Sequence, residues 1–209
     1  MVAHVDPQHY ASNAVARWIG LTPTDTRVDN SPMRLVTCCR AVHAYCDVPM
    51  DIKTATEQDW PRVYSFYAAI MAEGKTYAFG EGQTLDEVRP WWMEQPPGQT
   101  VALDGDAVLG SAKMGANRPG RGAHVATASV LVDPAHQRKG VGRALGLYVL
   151  DWARLAGFKS IQFNAVVELN APAVRLWQSL GFDILGTAPE SFNHPEHGLV
   201  GLHIMFRHL

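Results

Sequence analysis

Cysteine is scarce in this 209-residue chain: Cys38, Cys39 and Cys46 are the three, all in one short segment. An odd number with two adjacent argues against a disulfide framework, and their spacing with His43 fits no standard zinc pattern. Reduced thiols and no metal are expected. A surplus of one charge is lacking as well. Eighteen Lys and Arg stand against 20 Asp and Glu, a formal net charge of -2, so no global field draws nucleic acid or an anionic membrane. No apolar run reaches the length of a membrane-spanning helix, and the opening MVAHVDPQHYASNAVARW lacks the basic and apolar blocks of a secretory leader. A cytoplasmic protein without nucleic-acid or membrane partners is the expectation.

What is present suits one sizeable core, with 47% of residues hydrophobic. Residues 1–49 mix Pro, Asp, Thr and Ser with isolated apolar residues and hold no period, so they read as an N-terminal extension, with Met50 as an alternative start. Residues 50–209 read as the folded domain. MDIKTA predicts a strand, and Thr56 with Asp59 a capping-box-like helix start. Trp60, Val63, Tyr64, Tyr67, Ala68 and Met71 share one helical face, which Gly74 ends. Thr84 and Glu87 form a second capping box, opening a shorter helix through Trp91 and Trp92.

Two strands then flank the turn Asp104-Gly105-Asp106, NRPGRG forms a loop, and HVATASVLV is another strand. Val141, Ala144, Leu145, Tyr148, Val149, Trp152 and Leu155 make a core-facing helical stripe. KSIQFNAVV is a strand, and Asn170 caps a helix that Gly181 stops. FDILGTA and GLVGLHIMFRHL close the chain as strands paired across a loop with His194 and His197. The order is that of a mixed α/β domain.

The stretch from Val130 to Gly157 runs from a strand through a basic, glycine-bearing turn into a helix, which is the arrangement of an anion site. Gly140, Gly142 and Gly146 can be written as a variant dinucleotide fingerprint. Two features oppose that reading: Asp133 to Lys139 separate the glycines from the strand, and Asn164 and Ala165 stand where the ribose-binding acid belongs. Taken instead as one unit, Gln137-Arg138-Lys139-Gly140-Val141-Gly142, with Arg143 and Ala144 after it, supplies inward N–H groups and a positive helix end for a diphosphate.

That unit resembles the Q/R-x-x-G-x-G/A motif of the GCN5-related N-acetyltransferases (GNAT family), which wraps the pyrophosphate of acetyl-CoA. VLVDP resembles the family strand that pairs with the pantetheine arm, and NAPAVRLWQSLGF its N-x-x-A-x-x-L-Y-x-x-L-G-F segment. Three motifs in order, over Met50 to Leu209, imply the GNAT fold: a mixed, mostly antiparallel sheet with a central splayed strand pair, flanked by helices. They imply acetyl-CoA as co-substrate, an amine acceptor and a possible homodimer.

Residue by residue, the resemblance places Val130, Leu131 and Val132 along the pantetheine, with the backbone N–H of Val130 donating to the thioester oxygen. Gln137 to Ala144 hold the pyrophosphate, and Asn170 contacts the CoA arm while capping its helix. Trp177 stands where many relatives carry the Tyr that protonates the leaving thiolate. The proton must then come from water, from Tyr148 or another phenol, or from the product ammonium. Within the family, NRPGRGAHVATASVLV and QFNAVVELNAPAVRLW are most similar to members that acetylate L-azetidine-2-carboxylate and related imino acids.

In those members an asparagine matching Asn164 serves the substrate, and a second aligns with Thr127. Asn164 also reads, on its own, as a polar strand residue satisfied by backbone. Glu73, Lys75, Thr76 and Tyr77 fall where the family builds its acceptor wall, with Glu73 the first candidate base and Glu168 the second. The basic loop through Arg118 and Arg121 suits a small acceptor bearing a carboxylate. Protein acetylation and non-catalytic CoA binding are the competing functions.

Overall fold

The computed structural model describes residues 50–94 and 98–209. The three cysteines and the whole 1–49 segment lie outside the described residues. Strand β1 (Asp51–Thr54) leads to helix α1 (Trp60–Glu73) and the short helix α2 (Leu85–Arg89), which continues as one π-helical turn, Pro90–Glu94. Strands β2 (Gly98–Asp104), β3 (Ala107–Ala116) and β4 (Val125–Val132) follow, then α3 (Val141–Leu155), β5 (Ser160–Val167), α4 (Ala171–Ser179), β6 (Asp183–His194) and β7 (Gly198–His208).

Local chemistry accounts for most of these boundaries. Thr84 and Glu87 close a reciprocal capping box, Gly74 ends α1 in the left-handed region, and Asn170 Oδ1 accepts from Ala173 N at 3.2 Å. The first helix starts later than its sequence predicts. Asp59 is its N-cap residue, and instead of capping forward its carboxylate reaches back to accept from Thr56 N at 2.9 Å and Thr56 Oγ1 at 2.7 Å. Lys53 and Arg62 neutralise that buried charge, at 3.5 Å and 2.9 Å.

The seven strands form one sheet in the order β1-β2-β3-β4-β5-β7-β6. Every pairing is antiparallel except β4 with β5, a parallel pair joined at two positions only, Val125↔Ser160 and Ala126↔Ile161. Beyond Ala126 the two central strands splay apart. The sheet carries a core on each face: Ala126, Val141, Leu145, Val149, Ile161, Phe163, Trp177 and Met205 under α3 and α4, and Trp60, Val63, Tyr67, Trp92, Val101 and Leu131 under α1.

Three details differ from the sequence expectation. On α1, Phe66 and Ile70 are buried whereas Tyr64 and Ala68 lie half-exposed at the edge of the stripe. Leu155, assigned to the α3 stripe, is 64% exposed at the last residue of α3. Strand β6 continues through PESFNH to His194, so the closing hairpin turns tightly at residues 195–197.

Candidate active site

The splay between β4 and β5 leaves backbone groups of β4 turned toward the gap. Asn117 N donates to Val125 O at 2.8 Å and Asp133 N to Leu109 O at 2.9 Å. In an antiparallel ladder direct bonding recurs at every second residue, so residues 125, 127, 129, 131 and 133 spend their backbone groups on β3. Ala126, Ala128, Val130 and Val132 therefore face the other way, and only Ala126 meets β5. The gap side of β4 is a short length of unpaired strand edge inside the sheet.

Tyr77, in the loop after α1, reaches this edge. Its hydroxyl donates to Val130 O at 2.8 Å, and burial of that hydroxyl pushes its pKa well above the ordinary phenol value of 10.0. Tyr77 is thus a fixed proton-bearing donor that anchors the residue whose N–H points into the same gap. Its ring stacks on Phe79 at 5.7 Å, and Phe79 meets Trp91 edge-on at 4.7 Å.

Where β4 ends, Asp133 Oδ1 accepts from Ala135 N at 3.0 Å and its Oδ2 lies 2.8 Å from His136 Nδ1, shaping one 3-10 turn. Gln137, Arg138 and Lys139 then stand exposed, with Arg138 at φ 61 and Gly140 at φ 82 as the N-cap of α3. Left-handed backbone at Arg138 and Gly140 turns the chain sharply into the start of α3, whose positive end favours an anion. Gly142 has a packing role too. A Cβ there would lie 3.3 Å from Leu176 Cδ2 and 3.5 Å from Val132 Cγ2, so its absence brings α3 against both α4 and β4. Val141 and Ala144 are buried beneath, while Arg143 Nη1 donates to Ser179 Oγ at 3.1 Å.

Asn170 sits at the head of α4, beyond β5, with its oxygen used as the cap. Trp177 on α4 is a core residue, 8% exposed, with its ring 4.5 Å from Phe163 and 5.7 Å from Phe182. It fills space and supplies no acid.

On the face of the sheet opposite α3, polar groups gather at the narrow end of the gap. Ile161 and Phe163 point into the α3-side core, which turns Gln162 and Asn164 to the other face. Gln162 Nε2 donates to Asn164 Oδ1 at 2.8 Å, and Asn164 Nδ2 donates to Asn117 Oδ1 at 2.6 Å. Arg118 Nη1 donates to the Asn117 carbonyl at 3.0 Å, so the basic loop and Asn164 are joined through Asn117. Asn164 is exposed and bonded to side chains, not satisfied by backbone as a buried strand asparagine would be. Thr127 shares this face with Leu131, half-buried, while Arg121 stays on the surface.

The candidate carboxylates sit further out. Glu73 is exposed at the end of α1 with Lys75 Nζ at 3.9 Å, and Lys75 pairs with Glu196 of the closing hairpin at 2.6 Å. Glu168 accepts from Gly201 N at 2.5 Å. His194 is buried and its Nδ1 accepts from Glu196 N at 3.2 Å. The residues that sequence reasoning missed are Asn117, Lys113, Trp91 and Glu196. Strand alternation signals Lys113, which stands on the face of the polar Ser111; the other three enter through contacts between distant segments.

The Acetyltransferase (GNAT) family model matches residues 59–182. The chain belongs to that family. The match spans β4, the anion cradle and α4, the segments that carried the resemblance, and the splayed parallel pair gives the fold its family form. A solved structure of a GCN5-related N-acetyltransferase from Kribbella flavida is 51% identical, with a TM-score of 0.74 over 77% of this chain and 98% of that one. Among curated proteins, N-acetyltransferase aca1 of Schizosaccharomyces pombe is 40% identical over 80 residues, 38% of each chain. L-amino acid N-acyltransferase MnaT of Escherichia coli is 31% identical over 147 residues, 68% of this chain and 84% of that protein. No helix among the described residues is long and apolar enough to cross a membrane.

Proposed function

We propose that this GNAT protein transfers acetyl from acetyl-CoA directly to the amine of a small molecule, an amino or imino acid or a related toxin. The observation that carries the reading is that one gap holds both an unpaired β4 edge beyond Ala126 and, at its narrow end, a polar, carboxamide-lined recess. The edge, with the cradle from Gln137 to Ala144, accounts for a pantetheine arm and a diphosphate. The recess of Asn117, Asn164 and Gln162 suits a compact polar acceptor, and the likeness to an L-amino acid N-acyltransferase supports that class.

The neutral amine attacks the thioester carbonyl carbon, and the oxygen gains charge opposite the Val130 N–H. Donors of this kind contribute on the order of 10² to 10³ in rate. The carbon–sulfur bond then breaks, the amide forms, and the proton lost by nitrogen passes to the CoA thiolate, directly or by water. Trp177 takes no part in that step. Glu73 relays the proton of an incoming ammonium to solvent through water. Free-thiol release from acetyl-CoA, measured over L-amino acids, cyclic imino acids and a histone-tail peptide, tests the reading. Turnover of small amino or imino acids is expected; turnover of the peptide alone overturns it in favour of protein acetylation.

A further inference from the structure

Lys113 is a cation for which no anion is present among the described residues. It lies on β3, cross-strand from Ser129 of β4 and from Gln99 of β2, both uncharged. Its Nζ stands 3.0 Å above the ring centroid of Trp91 and donates to the Trp91 carbonyl at 3.2 Å. The carboxylate of Glu94, close by in sequence to Trp91, is taken by Arg89. A half-buried ammonium held by one carbonyl and a ring face keeps unused donor capacity, and burying a cation without an anion is unfavourable unless something else supplies the charge.

The position of Lys113 says what that something is. Side-chain alternation puts it on the acceptor face of the sheet, with Ser111 and opposite the core of α3 and α4. Ser129 is the residue before Val130, so Lys113 stands about one strand spacing, roughly 5 Å, from the strand segment that offers its N–H to the thioester. The aromatic group of Tyr77, Phe79 and Trp91 walls the same place. Arg118 and Arg121 are poorer receptors: the first is bonded to Asn117 and both lie exposed.

We infer that Lys113 is the receptor for the acceptor's carboxylate, holding an α-amino or α-imino acid so that its nitrogen faces the thioester. Trp91 positions the ammonium and screens it from water. The inference deepens the function proposed above and rests on it. It also sets specificity: amines without a carboxylate leave the Lys113 charge unmatched and are poor substrates.

The test compares L-methionine sulfone with its α-carboxamide, and L-azetidine-2-carboxylate with its carboxamide, in the wild type, Lys113→Met and Lys113→Arg. In the wild type each acid is favoured over its amide in kcat/KM. Lys113→Met, which keeps an apolar stem over Trp91, raises KM for the acids on the order of 10- to 100-fold, as expected for one charge-assisted hydrogen bond. KM for the amides and the acetyl-CoA affinity stay unchanged, and Lys113→Arg keeps the preference for acids. An acid preference that survives Lys113→Met overturns the inference alone. Failure of the wild type to acetylate any of the acids overturns the proposed function and the inference with it. Should Lys113→Met not fold, Lys113→Gln takes its place, and an acid preference that survives that substitution overturns the inference.

Discussion

Asn164 of β5 donates through Nδ2 to Oδ1 of Asn117, just past the end of β3, at 2.6 Å. The bond passes across β4, the strand between them, and closes the narrow end of the gap on the acceptor face. Because Gln162 donates to the Asn164 oxygen, the orientation of the carboxamide is fixed. Under the proposed function, a substrate reaching this recess would meet a preset donor and acceptor.

Removing either member should disturb the acceptor and spare the donor. Asn164→Ala and Asn117→Ala are each expected to lower kcat/KM for the acceptor about tenfold, the scale of a single hydrogen bond. Acetyl-CoA affinity by calorimetry should stay the same. Thr127→Asn adds a fourth carboxamide on this face and should improve turnover of L-azetidine-2-carboxylate; a lower rate with all acceptors would show that the recess lacks room for it.

Tyr77→Phe removes the hydroxyl that holds Val130 O. A loss of about 1 kcal/mol in stability is expected, together with a fall in kcat larger than any change in the KM for acetyl-CoA if, as proposed, the Val130 N–H meets the oxyanion. Steady-state kinetics with a urea titration separate the two effects. Because its proton is held above the ordinary phenol range, wild-type Tyr77 should contribute no ionisation to the pH profile below about pH 10.

Gly140→Val and Gly140→Asp place a side chain at φ 82 in the cradle. Gly142→Val drives a branched side chain into Leu176. All three should weaken acetyl-CoA binding by at least tenfold in calorimetry. Unchanged affinity in a folded variant would remove the cradle from the site.

Lys113 makes stability depend on pH. Its folded pKa is lowered by burial to about 7, against an ordinary value of 10.5. Between those values the unfolded chain holds the proton more tightly, so stability rises with pH across the window. Relative to Lys113→Met, the wild-type urea midpoint should therefore climb from about pH 7 to about pH 9, and a constant difference would place the ammonium in water.

Deletion of residues 1–49 should leave an enzyme that folds and turns over acetyl-CoA, because β1 begins at Asp51 and the family match at residue 59. Loss of solubility or activity on truncation would assign the segment a part in the domain.

Much of this was legible in the sequence where the cause is local. The Thr84–Glu87 box, the Asn170 cap and the Gly140 turn into α3 depend on neighbours a few residues away. The start of α1 falls at Trp60 rather than after Thr56 because Asp59, whose carboxylate is bonded back to Thr56, is itself the N-cap residue. The full length of β6 was hidden because Pro189 and Glu190, the latter at φ 52, interrupt the strand pattern where the pairing with β7 shifts register. The contacts of Asn117, Lys113 and Trp91 were missed for a common reason, although strand alternation placed Lys113 on its face. Each acquires its role from a partner 22 to 47 residues away, and single-sequence patterns hold no record of that distance.

The two-position contact between β4 and β5 has a consequence for motion. In the ligand-free chain the amides of Ala128, Val130 and Val132 lie along an open seam, so they should exchange with deuterium sooner than their neighbours bonded to β3. A pantetheine arm lying in that seam behaves as an interior strand, bonded on one side. The left half of the sheet, β1 to β4, and the right half, β5 to β7, share only two paired positions, and an arm in the seam would fill the space between them while bonding the β4 edge. Each catalytic cycle would slacken the middle of the protein when CoA departs and tighten it when acetyl-CoA returns.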